Sequence, residues 1–300
     1  FVQEGELWSY NEMENTLAKV FSFRGYEGID DRENYGEHDI KIVSIDEAGS
    51  IDYIVYGYMN RGIHEGQVGI AVYHYDSLAN TNEEQVFIPS SQSYEVMKSE
   101  LGQLMYVTEG SVFYIMVDGT VYGIDLNTLE TRALVEGLSD ETVAISDSNR
   151  FLAWIDTSEG KESDTLHVID FTTEKVTDIT EGTGKYLKPL GFMQEDFVYG
   201  IANADDVVVD AAGNTLFPMY QVKIIDTGSK DHEVLKTYEK AGYYVQGITI
   251  SGYTIYLNRI QNNGTAYVDA DQDMIMNREG DSLKQVDITT FSTDEKETQV

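Results

Sequence analysis

The chain has 300 residues, of which 53 are acidic and 20 basic; this gives a formal net charge of −33, and there is no cysteine. Because this charge repels phosphate backbones and anionic lipid headgroups, we expect neither nucleic acid nor direct membrane contact as a partner. The lack of thiols excludes disulfides, thiolate metal sites and a cysteine nucleophile, and no apolar run reaches the roughly twenty residues of a membrane-spanning helix.

A short unit recurs six times along the chain. In each copy an apolar strand ends in Asp or Asn, and a polar turn leads into a second strand; the copies begin at residues 7–11, 70–76, 121–125, 166–170, 222–226 and 283–287. Their spacing drifts around about fifty residues, which is typical of repeated β-sheets. A strand pair with a more apolar second strand precedes each copy except the first, as in residues 40–46 and 51–58.

Four antiparallel strands per repeat predict an all-β fold, a β-propeller of six or seven blades with an incomplete first blade. The predicted blades are residues 40–88, 101–136, 142–181, 186–239 and 243–300, preceded by a half blade of two strands at 1–23. We expect a single domain over 1–300, excised from a longer protein because the chain opens inside a strand. A β-sandwich or β-helix is the alternative, but a sandwich gives no reason for six similar units and a β-helix has shorter, more regular coils.

The sequence of residues 166–176, Leu-His-Val-Ile-Asp-Phe-Thr-Thr-Glu-Lys-Val, resembles the outer hairpin of TolB-type and related WD-like propeller repeats. Residues 121–130 and 222–228 are similar, and the resemblance, a pattern of spacing and Asp turns, extends over nearly the whole chain. It implies the propeller fold and no particular activity. The Trp-Asp and Gly-His pairs of strict WD repeats are absent, which disfavours a eukaryotic scaffold. Residues 196–202 and 217–222 resemble Gram-positive envelope proteins, which implies an extracellular or cell-envelope location.

Two connections, residues 202–219 and 261–282, are far longer than the hairpin turns. Both are predicted to join the second and third strands of their blades, which are consecutive, so the two loops should emerge at one end of the sheets and lie side by side. The stretch 24–38 is predicted to open at the same end. Since long loops in compact domains are commonly functional, we place the candidate site here.

Polar and aromatic side chains of these two loops are the candidate binding residues: Asp205, Asp206, Asp210, Phe217, Tyr220, Tyr267 and Arg278. Asp269, Asp271 and Asp273 are candidate ligands for Ca²⁺, which prefers carboxylate oxygens, and we expect no other cofactor. The run is not an EF-hand, because Met274 and Gly280 replace the glycine and the final glutamate of that motif. A solvated acidic turn is the alternative to a metal site.

Catalytic motifs are missing from the sequence: there is no Gly-x-Ser-x-Gly elbow, His-Glu-x-x-His pair or Gly-rich dinucleotide loop. Residues 182–185, Gly-Thr-Gly-Lys, lack the upstream glycine and the following Ser or Thr of a phosphate loop, so they are predicted to form a turn between blades. We therefore expect a non-catalytic extracellular domain that binds a protein or polysaccharide through its long-loop end. The alternatives are a carbohydrate-active hydrolase with paired carboxylates and a passive spacer in a larger envelope protein.

Overall fold

The computed structural model describes residues 1–300 except for 4, 13–14, 24–36, 61, 102, 109, 157–162, 210–214, 230–231, 278–290, 294–295 and 300. Its regular structure is almost entirely β, and most strands belong to four-stranded antiparallel sheets that follow one another in chain order. Such sheets are the blades of a β-propeller, so the predicted all-β propeller fold is confirmed, and the number of blades stays a prediction. No helix in the described ranges is long and apolar enough to cross a bilayer.

Two compact units divide the chain, Phe1–Lys161 with His167–Asp178 and Glu162–Leu166 with Ile179–Val300. Four sheets begin in the first unit. Their strands, together with one helix, are β1 (Val2–Gln3), β2 (Glu6–Asn11), β3 (Thr16–Ser22), β4 (His38–Ile45), β5 (Ile51–Tyr58), β6 (Val68–Asp76), β7 (Thr81–Pro89), α1 (Tyr94–Glu100), β8 (Met105–Val107), β9 (Val112–Val117), β10 (Thr120–Asp125), β11 (Thr131–Val135), β12 (Val143–Ile145), β13 (Phe151–Ile155), β14 (Thr165–Asp170) and β15 (Lys175–Thr180). They pair in the orders β1-β2-β3, β4-β5-β6-β7, β8-β9-β10-β11 and β12-β13-β14-β15.

The described residues of the second unit form one four-stranded sheet, one three-stranded sheet and two short hairpins. Its strands are β16 (Lys185–Met193), β17 (Asp196–Asn203), β18 (Val208–Val209), β19 (Thr215–Leu216), β20 (Gln221–Ile225), β21 (Val234–Glu239), β22 (Tyr244–Ser251), β23 (Thr254–Asn262), β24 (Tyr267–Met276), β25 (Phe291–Thr293) and β26 (Lys296–Gln299). The sheets are β16-β17-β20-β21 and β22-β23-β24, and the hairpins are β18-β19 and β25-β26.

The second strand of each four-stranded sheet is buried on both faces, as its apolar sequence predicts. β13 is buried at all of its positions, and β5, β9 and β17 at nearly all of theirs. A strand buried on both faces needs apolar cover on both sides, and separate clusters of buried side chains in the two units provide it. Burial of Met97 and Leu101, in and just after helix α1, adds to one of these clusters.

The recurring Asp of the sequence unit stabilises a turn. The carboxylate of Asp76 accepts hydrogen bonds from the backbone N–H groups of Leu78 and Ala79. Asp125 and Asp226 each accept hydrogen bonds from the N–H groups of the residues two and three positions later, and all six donor–acceptor distances are 2.8–3.0 Å. These bonds form Asx turns, which close the hairpin between the third and fourth strands of a blade. Donation from the two amides lowers the pKa of Asp76, and the same kind of donation lowers the pKa of Asp125.

Two sequence expectations differ from the structure at the chain's outer sheets. The half blade has three strands rather than two, because β1 turns back through Gly5 and pairs with β2. The prediction of a loop at 261–282 is wrong over most of the described part of this range. A four-residue turn joins β23 to β24, and β24 occupies Tyr267–Met276. Aspartate is a poor strand former, but pairing with β23 holds the segment that contains Asp269, Asp271 and Asp273 as a strand. The strand predicted at 283–287 lies outside the described residues.

The backbone of Gly57 packs closely against Glu37, and a substitution at Gly57 tests this contact. Gly57 has φ +104°, and a Cβ there would lie 2.2 Å from the Glu37 carbonyl oxygen. Gly57→Ala should lower the free energy of unfolding by more than about 3 kcal/mol. Gly62→Ala is the control, since Gly62 has φ +80° and, apart from its chain neighbours, no heavy atom of the described residues lies within 4 Å of that position; it should cost about 1 kcal/mol. Urea unfolding measures both, and equal losses would contradict the steric explanation.

Candidate functional site

Several strand ends of the second unit meet at one end of its two main sheets. Lys185, at the start of β16, pairs with Asn203 at the end of β17. Tyr267, at the start of β24, likewise pairs with Asn262 at the end of β23. This is the end at which second strands lead into third strands, as the loop analysis predicts for the candidate site.

Backbone hydrogen bonds tie the long 202–219 connection to the next sheet. Met219 and Val245 each donate an N–H to the carbonyl of the other, at 2.9 and 2.8 Å. The connection begins with a 3-10 turn at Ala204–Asp206 and continues through the β18-β19 hairpin. The described part of this predicted loop thus contains regular structure, and its last residues are held against the first strand of the three-stranded sheet.

A chain of polar contacts crosses this end. Lys185 Nζ donates to Asn203 Oδ1, and Asn203 Nδ2 donates to Asp206 Oδ2 at 2.7 Å. The same ammonium lies 4.5 Å from the centre of the Tyr220 ring, a cation–π distance. The three polar side chains therefore hold one another in place beside an aromatic ring.

Two further tyrosines complete the cluster. The rings of Tyr244 and Tyr267 pack edge to face with centroids 5.3 Å apart. Burial raises the pKa of Tyr267, and the negative charge of Asp206 adds to the effect, so that carboxylate lies within electrostatic range of the phenol. We call this cluster the Tyr267 patch and define it by its six residues: Lys185, Asn203, Asp206, Tyr220, Tyr244 and Tyr267.

The structure brings together three of the residues that the sequence singled out, namely Asp206, Tyr220 and Tyr267. Asp205 lies in the same 3-10 turn as Asp206 and is exposed. Asp210 and Arg278, which were also predicted to bind, fall outside the described residues.

Phe217 is not available to a ligand. Its side chain is only 5% exposed and packs with Met219, Val222 and Val198 in the core of the second unit. The prediction that Phe217 forms part of a partner surface is wrong, because the chain turns inward after β19 to make the backbone bonds with Val245. The apolar side chains at the end of this connection serve packing.

The three aspartates proposed as calcium ligands lie along strand β24. Asp269 and Asp271 are exposed, whereas Asp273 accepts hydrogen bonds from Arg259 Nη1 at 3.1 Å and from the Tyr238 hydroxyl at 3.0 Å. The Met274 amide, the Tyr238 hydroxyl and the charge of Arg259 lower the pKa of Asp273. Within the described part of the chain, no group of three or more His, Cys, Asp or Glu side chains is arranged to hold a metal ion.

Sequence reasoning missed Lys185, Asn203 and Tyr244. Lys185 was assigned to a turn between blades, whereas it opens β16 opposite Asn203. The available signal was the strand register: once the β16-β17 hairpin is aligned, the first residue of one strand faces the last of the other. Tyr244 could not be separated from the many tyrosines that serve strand pairing.

Neither protein-family models nor curated proteins match the sequence. Among solved structures, similarity is found to a mitotic checkpoint complex chain, at 11% identity and TM-score 0.33, covering 90% of this chain and 74% of that one. An oligogalacturonate lyase from Vibrio parahaemolyticus matches at 9% identity and TM-score 0.32, covering 80% and 72%. The β-propeller domain of the Trilobed protease from Pyrococcus furiosus matches at 11% and 0.31, covering 84% and 72%. Similarities this distant transfer no function.

The electrostatic link between Asp206 and Tyr267 can be measured. Asp206→Asn removes the charge while leaving an oxygen to accept from Asn203, so the pKa of Tyr267 should fall towards its ordinary value. Asp205→Asn, an equal charge change in the same turn, should leave it unchanged. Titration of ¹³C-labelled tyrosines by NMR, with Tyr267 assigned through Tyr267→Phe, distinguishes the two variants. An equal shift in both would mean that Asp206 is not the group that faces the phenol.

Proposed function

We propose that this chain is a non-catalytic binding domain that engages a protein partner through the Tyr267 patch and the neighbouring β18-β19 hairpin. The observation that carries the proposal is the arrangement of the patch, in which partly exposed tyrosines are fixed by a lysine, an amide and a carboxylate. Rigid tyrosines bordered by polar groups are the composition that interface centres favour.

Exposed apolar side chains lie close in sequence to residues of the patch. Val208 and Val209 in the hairpin are 54% and 56% exposed, and Val268, which follows Tyr267 in β24 and points to the other face of that strand, is 44% exposed. A β-branched side chain loses little conformational freedom when it is covered, so these valines suit a partner's apolar contact. Exposed valines in the hairpin that follows Asp206 favour a protein over a purely polar ligand.

Charge suggests the character of this partner. With a net charge of −33, the chain attracts cationic surfaces and repels anionic ones. Asp205 and Asp206 put negative charge at the edge of the patch itself. The proposed partner therefore carries lysines or arginines around an apolar centre, which speeds its association at low ionic strength.

A polysaccharide is the second candidate ligand. Tyrosine rings can stack on the apolar faces of sugars, and the Asn203 amide and the Asp206 carboxylate are suited to hydrogen bonding with hydroxyl groups. The hydrolase alternative gains no support from the patch, because Asp205 and Asp206 are neighbours in one turn and do not face each other across a cleft.

The proposed setting is the outside of a bacterial cell, with the domain as part of an envelope protein. The resemblance of residues 196–202 and 217–222 to Gram-positive envelope proteins supports this placement, as does the TolB-like pattern of the repeats. Binding requires no cofactor in this proposal. Calcium at Asp269, Asp271 and Asp273 would need ligands beyond those three side chains.

Photo-crosslinking in the cells that produce the protein tests the proposed surface. With p-benzoylphenylalanine in place of Val209, we expect a discrete protein adduct that is lost in a Tyr220→Ala/Tyr267→Ala background. The same photo-crosslinker at Leu78, an 87% exposed position in the first unit, is the control and should give no adduct. Once the partner is purified, the double variant should weaken its binding at least about tenfold.

Three results would count against this assignment: equal adducts at positions 78 and 209, an adduct that survives the double substitution, or unchanged affinity of that variant. Affinity electrophoresis in gels containing envelope polysaccharides separates the two ligand classes. Retardation that depends on Tyr220 and Tyr267, without any protein adduct, would favour the polysaccharide.

A further inference from the structure

A cavity opens at the other end of the same two sheets, away from the Tyr267 patch. Its volume is about 310 Å³. Three buried side chains, Met193, Ile224 and Ile275, form part of its lining, and two half-exposed ones, Leu235 and Met276, lie nearer to solvent. The cavity therefore has an apolar wall that remains open to water on one side.

One carboxylate lies among these apolar side chains in the cavity lining. Asp196, the first residue of β17, lines the cavity and is half-buried. Among the described residues, no hydrogen bond or ion pair involves its side chain, whereas Asp170, Glu181 and Asp273 all pair with a lysine or an arginine. A half-buried carboxylate without a partner is costly, so Asp196 stands apart from these paired acidic groups.

The charged groups near Asp196 disfavour its ionised form. Burial raises the pKa of Asp196, and the negative charges of Asp226 and Glu195 raise it further. Asp226 is committed to its own turn through the Gly228 and Ser229 amides. Lys236 also borders the cavity, but its ammonium is not within ion-pair distance of Asp196. The remaining neighbours from β24 and its end, Ile275, Met276 and Asn277, do not titrate.

We propose that this cavity binds the primary ammonium group of an amphipathic ligand, with Asp196 as the counter-ion and the Met193, Ile224 and Leu235 side chains covering the ligand's apolar body. The site lies beyond the surface of the proposed function and does not depend on it. An ammonium is a compact point charge that a single carboxylate can neutralise, whereas a guanidinium is best matched by several acceptors in a plane. The volume suits a chain of a few carbons.

This chemistry has two natural sources, a free alkylamine or the lysine side chain of a protein. n-Hexylamine serves as the probe for the first and the peptide acetyl-Leu-Lys-Leu-amide for the second. 1-Hexanol has the same apolar body without charge, and hexanoate carries the opposite charge. Binding of each to the full chain is followed by ¹H–¹³C NMR of the methionine methyl groups, where Met193 and Met276 report from the cavity.

We expect saturable shifts of the Met193 and Met276 signals with hexylamine or the peptide, and at least tenfold weaker binding of hexanol and hexanoate. Asp196→Asn should weaken binding of the cationic probe at least tenfold. Asp147→Asn, an equal charge change at an exposed position of the first unit, should leave it unchanged. Binding by the peptide alone would assign the site to a partner's lysine, and binding by hexylamine alone to a free amine.

Stability and pH provide a second readout that does not require a ligand. A folded-state pKa above the unfolded value means that ionised Asp196 destabilises the fold at neutral pH and that this cost disappears as pH falls below the unfolded value. Asp196→Asn should therefore raise the Tm by about 2 °C at pH 7 and by less at pH 3. Binding of the cationic probe to the native protein should weaken as Asp196 becomes protonated.

The proposal is overturned if neither cationic probe shifts the two methionine signals, if hexanol binds as tightly as hexylamine, or if Asp196→Asn binds the cationic probe as well as the native chain does. A variant whose Tm rises while its affinity is unchanged would show that the cavity is a gap in packing. Because none of these measurements involves the Tyr267 patch, their failure would leave the proposed function untouched.

Discussion

Burial of the second strand in each four-stranded sheet is the constraint on which the rest of this structure depends. Strands such as β13 and β17 have apolar side chains on both faces, so each sheet must be covered on both sides. Because its faces are covered, such a sheet can present binding residues mainly at the ends of its strands. Both the Tyr267 patch and the Asp196 cavity are found there, at opposite ends of the same two sheets.

The acidic composition becomes more informative once the carboxylates are sorted by what they contact. Asp76, Asp125 and Asp226 bind backbone amides in hairpin turns, and Asp273 is paired with Arg259. These groups contribute to the fold and are satisfied within it. Asp196 has no such partner among the described residues, and Asp206 fixes a surface cluster. The number of acidic residues therefore does not indicate function, whereas the hydrogen-bond and ion-pair partners of each carboxylate do.

Strand order and the end at which the long 202–219 connection emerges could be predicted from the sequence, because alternation, turn residues and repeat spacing are local signals. The same reasoning failed at β24, where three aspartates in alternation were interpreted as a loop, and at Phe217, interpreted as a surface residue. In both cases the deciding factor was a neighbour distant in sequence: the pairing of β24 with β23, and the bonds from Met219 to Val245. Arg278 and Asp210 lie outside the described residues, so their predicted roles stay predictions.

By itself, the sequence determined that this protein is an all-β chain of repeated antiparallel sheets with structural Asp turns, since strand periodicity and turn chemistry are properties of neighbouring residues. Only the tertiary structure decided which side chains meet. Lys185 reaches Tyr220, and Asp206 approaches Tyr267, because separate strands end at the same place. The Asp196 carboxylate is half-buried near the negative charges of Asp226 and Glu195, and among the described residues it has no cationic partner. Contacts of this kind depend on distances between chain segments, which no local pattern encodes.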